Sequence, residues 1–67
     1  MNISKLKIKM EENNYNISTL SKAIGIDKST FYRKTRSSSA GFSVREVKMI
    51  SNTLKLTGDE INNIFFA

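Results

Sequence analysis

The sequence predicts an all-α domain of five short helices, and three observations predict it. Apolar residues recur at helical spacing along most of the chain: Ile3, Leu6 and Met10, then Ile17, Leu20 and Ile24, then Val44, Val47, Ile50 and Leu54, then Ile61, Ile64 and Phe65. Such spacing marks helices that bury one face. A five-residue device, with an apolar residue, a capping residue and a second apolar residue four after the cap, occurs four times: Tyr15, Asn16, Leu20; Ile26, Asp27, Phe31; Phe42, Ser43, Val47; and Leu56, Thr57, Ile61. This is the hydrophobic staple, which sets the angle at which the chain enters a helix. Finally, Gly25 falls just past one helical pattern and just before the next, where a helix commonly ends in a left-handed residue that glycine adopts without steric cost. The 67 residues make one domain, 1–67, near the size below which a hydrophobic core alone no longer supports folding.

The first helix is expected over residues 3 to 13, capped by either Asn2 or Ser4. Its segment KLKIKM also alternates as a strand would, but lysine is a poor strand former and the following Glu11, Glu12, Asn13, Asn14 reads as a polar helix end. Its apolar face is needed for the core of so small a domain, which outweighs a membrane-surface reading. Asn16 opens the second helix, and Asp27 caps the third, Lys28 to Thr35, whose one large apolar residue is Phe31. Ser37 to Gly41 is small, polar and aperiodic, hence a loop. Its serines either meet phosphates or are simply solvated. Helix four turns Val44, Val47, Ile50 and Leu54 inward, and helix five begins near Gly58. Glu46 and Glu60, three after Ser43 and Thr57, complete capping boxes. Phe66 falls roughly 100° around the helix from Phe65, off the inward stripe.

Composition excludes whole classes of function. The chain has no cysteine and no histidine, which removes disulfides, thiolate or imidazole metal ligands and the common nucleophile systems. The six acidic residues are spread over cap and surface positions, so no catalytic residue, metal, cofactor or small-molecule substrate is expected. No apolar run approaches the roughly 20 residues that cross a bilayer, and the first residues lack a signal-peptide core. The reading is a soluble protein of a reducing cytoplasm. The abundance of Asn, Ile and Lys fits AT-rich coding, as in a low-GC bacterium or its phage.

The net charge of +5 is concentrated: Lys22 to Lys48 holds seven basic residues against two acidic ones, and the remaining charges cancel. Charge confined to one motif is the footprint of a nucleic-acid face. Within it, the third helix carries Lys28, Ser29, Thr30, Tyr32, Arg33, Lys34 and Arg36. These are donors on a rod of about 13 Å, matched to a major groove about 12 Å wide.

The stretch from Leu20 through Ile24, Gly25 and Ile26 to the run DKSTFYRK resembles the helix-turn-helix family of phage repressors, Cro proteins and related bacterial regulators. The helix-turn-helix pair occupies about 16–36, and the order of helices extends the resemblance over nearly the whole chain. It implies a compact five-helix Cro/repressor-like domain in a bacterial host cytoplasm, with double-stranded DNA as partner and no membrane. Lys28, Ser29, Thr30 and Arg33 would face base edges, while Asn16, Tyr32, Lys34, Arg36, Ser38 and Arg45 would meet phosphates. Three positions depart from the family pattern. Ile17 stands where many members have a phosphate-binding glutamine, Thr35 where an apolar core residue is common, and Ser37 where glycine or asparagine usually ends the recognition helix. Ile17 therefore reads either as core or as interface. Together with Phe65 and Phe66 it forms the candidate surface for a homodimer or for a partner repressor, the latter being the way some small phage switch proteins act.

Overall fold

The structure, a computed structural model, describes residues 1–36 and 41–66. Ser37 and Ser38, on which sequence readings fell, lie outside the described residues. Five α-helices and no strand are found among the described residues: α1 (Ile3–Glu12), α2 (Ile17–Ala23), α3 (Lys28–Arg36), α4 (Val44–Leu54) and α5 (Gly58–Ile61), the last continuing as a π-helical coil over Asn62–Phe66. The four staples open α2 to α5 as predicted. Ser43 and Thr57 form capping boxes with Glu46 and Glu60, and Asn2 caps α1 by accepting from the Lys5 amide at 3.1 Å. A further box was not foreseen: Asn16 Oδ1 accepts from the Thr19 amide at 2.9 Å, and Thr19 Oγ1 accepts from the Asn16 amide at 2.8 Å. Threonine here fills the place usually held by glutamate or glutamine.

Helix ends and helix starts share residues. Asn14, Gly25 and Lys55 all have positive φ, at 62°, 78° and 55°. After each, an apolar residue returns its amide to a carbonyl five positions back: Tyr15 to Met10, Ile26 to Ser21 and Leu56 to Ser51, at 2.8, 3.0 and 2.9 Å. This six-to-one bond is the Schellman closure of a helix C-terminus. The same apolar residue is then the first member of the next staple. One residue thus ends one helix with its amide and aims the following one with its side chain, which is how so short a chain turns three times without a long loop.

The core takes residues from every long helix: Leu6 and Met10 of α1, Leu20 and Ile24 of α2 and its cap, Phe31 of α3, Ile50 and Leu54 of α4, and Ile64 of the C-terminal coil. Burying such a side chain stabilises by about 1.5–3 kcal/mol, so this cluster is the main support of a molecule only 27 × 27 × 20 Å across. Polar ties close its rim. Asn13 Nδ2 donates to the carbonyls of Lys9 and Leu54 at 2.9 and 3.3 Å, joining the ends of α1 and α4. The Asn2 amide donates to the Ile64 carbonyl at 2.6 Å, and Lys9 forms ion pairs with both Glu12 and Glu60.

Two expectations for the core need correction. Val44 is 72% exposed as the first residue of α4, whose packed face begins at Val47. Met49 packs against the core instead. The last helix is not one continuous α-helix: it widens after Ile61 into the π coil, which buries Ile64 and leaves Ile61 and Phe65 half-buried.

Candidate nucleic-acid interface

The α2–α3 pair is set by one turn. The Gly25 amide donates to the Lys22 carbonyl at 3.2 Å and the Ile26 amide to Ser21 at 3.0 Å, a double closure that requires the left-handed residue between them. Ile26 then tucks against the core, and Asp27 starts α3 by accepting from both the amide and the hydroxyl of Ser29. Those bonds hold the Asp27 carboxyl below its ordinary pKa, so it is ionised at neutral pH. Lys22 and Lys28 stand on either side of the turn, both exposed.

Phe31 fixes the rotation of α3. It is fully buried, and its ring packs on Phe42 with centroids 5.1 Å apart. At about 100° per residue, Ser29, Arg33 and Arg36 lie roughly 140–160° from Phe31, Tyr32 about 100° away, and Lys28, Lys34 and Thr35 within about 60°. Exposure follows this wheel except at Lys28, which is exposed in the first turn: Ser29, Tyr32, Arg33 and Arg36 are exposed, whereas Thr30, Lys34 and Thr35 are half-buried. The outward arc of α3 is therefore Ser29, Tyr32, Arg33 and Arg36. The Arg36 guanidinium lies over the Tyr32 ring, 5.7 Å from its centroid, a cation–π arrangement that organises both side chains on the surface. Thr35, polar where an apolar residue was expected, donates its hydroxyl to the Tyr32 carbonyl at 2.7 Å and so sits at the core edge without an unmet hydrogen bond.

The other predicted residues fall in different places. Lys28 is exposed at the flank of the arc, and Thr30 lies on its opposite flank. Asn16 is exposed, with its side-chain oxygen committed to the α2 cap. Arg45 is exposed in the first turn of α4. Lys34 is turned toward α4, with its ammonium 2.8 Å from Glu46 Oε1, a contact between residues 12 apart that periodicity does not reveal. Ile17 packs against the core. Phe65 meets Phe42 edge-on at 6.2 Å, whereas Phe66 is 67% exposed. Phe66 lines an open cleft with Val44, Val47 and Ile61. No helix among the described residues is long and apolar enough to cross a membrane.

Two helices joined at a glycine turn, the second holding a donor-rich face outward on a buried aromatic anchor, make a DNA-binding helix-turn-helix. The chain belongs to the family of Cro/C1-type HTH DNA-binding domains, whose profile matches residues 5–66. No curated protein and no solved structure gives a significant match. The family and the geometry together define a DNA-binding regulator of transcription.

Proposed function

We propose that the protein is a Cro-like regulator that reads operator DNA as a homodimer in the bacterial cytoplasm, the whole chain acting as one domain. The observation that carries this reading is the outward arc of α3, where Ser29, Tyr32, Arg33 and Arg36 stand together and α3 itself contains no carboxylate. Arg33 is suited to a bidentate contact with a guanine edge, with Ser29 beside it close to the neighbouring base. Lys28 and Thr30 extend the readout at its flanks. Arg36 and Tyr32 act as a stacked pair toward the phosphates, joined by Arg45 and the side-chain amide of Asn16. The resemblance and the AT-rich composition support a temperate phage as the source.

A second reading, a modulator that grips a repressor protein, is favoured by one feature: the exposed Phe66 beside Val44 in an apolar cleft. Gel shifts over fragments of the source genome, competed with random duplex, decide between the two. The operator reading expects one or a few fragments to be retained. Retention of none, with capture of a repressor in a pull-down, would replace it.

A further inference from the structure

We infer that Glu46 is a positioning residue that withholds Lys34 from DNA, so that the recognition helix meets phosphates with fewer positive charges than its sequence carries. The inference rests on the DNA-binding reading of α3 and concerns how tightly that helix holds any duplex, whatever its sequence.

Three features of the contact carry it. Lys34 is about 60° around α3 from the buried Phe31, on the side facing α4, and its side chain is only 25% exposed. Its partner is fixed: Glu46 Oε1 accepts from Lys34 Nζ at 2.8 Å and from the Ser43 amide at 2.8 Å, and the Glu46 amide returns to Ser43 Oγ at 3.2 Å. The carboxylate is therefore anchored in the first turn of α4, where the free amides and the helix dipole favour negative charge. Lastly, the Glu46 side chain is 15% exposed, so drawing Lys34 out to a phosphate would leave a poorly hydrated carboxylate without its cation. Burial alone would push the Glu46 carboxyl up. Lys34 and the Ser43 amide outweigh it and hold the group below its ordinary range, so the carboxylate is charged at any pH where DNA binding is measured. Among the described residues, Lys34 is the one cation of α3 with a carboxylate partner. Glu46 occupies it as a phosphate would.

A withheld lysine contributes nothing to counterion release, whereas a lysine on a phosphate adds about 0.9 to the slope of log affinity against log salt. That slope separates positioning from mere structural support, because loss of stability does not steepen it. The test measures binding of the intact protein to a random duplex over a range of salt for the wild type, Lys34→Gln, Glu46→Gln and the double variant, each checked for helicity. Glutamine is accepted at this position of a capping box, so Glu46→Gln retains the start of α4.

Lys34→Gln alone is expected to leave the slope unchanged. Glu46→Gln is expected to steepen it by about 0.9 per bound subunit and to raise random-duplex affinity severalfold, and adding Lys34→Gln to it should abolish both gains. A slope reduced by Lys34→Gln alone would overturn the inference by making Lys34 an ordinary phosphate contact. An unchanged slope in a folded Glu46→Gln variant would overturn it equally. Should Glu46→Gln fail to fold, a slope reduced by Lys34→Gln alone would still overturn the inference. A wild type with no salt-dependent DNA binding would overturn the DNA reading itself, an outcome distinct from a normal wild-type slope to which Lys34 contributes.

Discussion

The rings of Phe31 and Phe42 lie 5.1 Å apart and tilted by 57°, and this contact ties the recognition helix to the residue that aims α4. Phe42 in turn meets Phe65 edge-on, so three aromatics run from α3 to the C-terminal coil. Truncating a buried phenylalanine costs about 3–5 kcal/mol, and in a domain of this size each 1 kcal/mol moves Tm by about 4–8 °C. Phe31→Ala should therefore lower Tm by well over 10 °C or unfold the chain at room temperature, read by circular dichroism. An unchanged Tm would mean that α3 is rotated differently and that the outward arc is wrongly drawn.

The arc makes a division of labour between two arginines. Arg33, roughly opposite Phe31, should specify sequence: Arg33→Ala is expected to cost about 1–3 kcal/mol against the best site and little against random duplex. Arg36, stacked over Tyr32, should instead weaken all duplexes alike on mutation to alanine and lower the salt slope by about 0.9. Titrations of both variants against the selected operator and a scrambled duplex would separate these roles. Equal losses in both variants on both duplexes would show that neither arginine reads bases.

Much of this was legible in the sequence, because helix starts are signalled by residue type. Serine, threonine, asparagine and aspartate at a cap have side chains that reach the first free amides, and the four staples placed α2 to α5 correctly. Helix ends were less legible. Gly25 announces its left-handed conformation and Asn14, in a polar run, does so more weakly, but Lys55 adopts the same one with no signal in its residue type. The pairing of Lys34 with Glu46 was hidden for a different reason: as a donor on a basic helix Lys34 looks like its neighbours, and Glu46 already had a visible role in capping α4. The exposure of Val44 and the π coil after Ile61 depend on how the ends of α4 and α5 meet the rest of the molecule, which apolar spacing does not encode.

Lys55 offers a direct check on the helix-end device. An L-residue in the left-handed region costs roughly 1–2 kcal/mol, and glycine removes that strain while raising the backbone entropy of the unfolded chain, which offsets part of the gain. Lys55→Gly should raise stability by about 0.5–1 kcal/mol, provided the Leu56 to Ser51 bond is kept. Denaturant unfolding would measure it. A destabilised variant would show that the Lys55 side chain contributes more than its backbone costs.

Acid should act on the polar rim. Lys9 holds the Glu60 carboxyl below its ordinary value near 4.5, and Glu46 is also held low. A carboxyl whose pKa is lower in the folded state contributes stability that is present above the unfolded value and is lost as pH falls through the folded one. Tm should therefore be level from neutral pH down to about 5 and decline below the unfolded carboxyl pKa. Lys9, whose pKa is raised by Glu60 and Glu12, contributes in the opposite sense, with its share lost only in strong alkali. Glu60→Gln keeps a capping residue at Thr57 and should flatten the acid decline. If thermal melts of that variant fall as steeply as the wild type between pH 5 and 3, the Lys9 to Glu60 contact adds nothing in solution.

The exposed Phe66 should be covered in the working protein. It is 67% exposed and lines a cleft with Val44, Val47 and Ile61, with Lys48, Ser51 and Asn52 around them. An aromatic anchor at the centre of an apolar patch with a polar rim is the usual composition of an interface hot spot. A two-fold pairing there would place the same patch on both subunits and set the spacing of the two α3 helices, which must match successive turns of one groove about 34 Å apart. Phe66→Asp puts two charges face to face at such a seam. Sedimentation should then show monomer where the wild type self-associates, and operator affinity should fall steeply while affinity for random duplex, supplied by single subunits, changes little. Tm extrapolated to low protein concentration should stay constant, because an exposed side chain contributes little to the isolated fold. If the variant keeps its oligomeric state and its operator affinity but melts several degrees lower, Phe66 belongs to the core and forms no dimer seam.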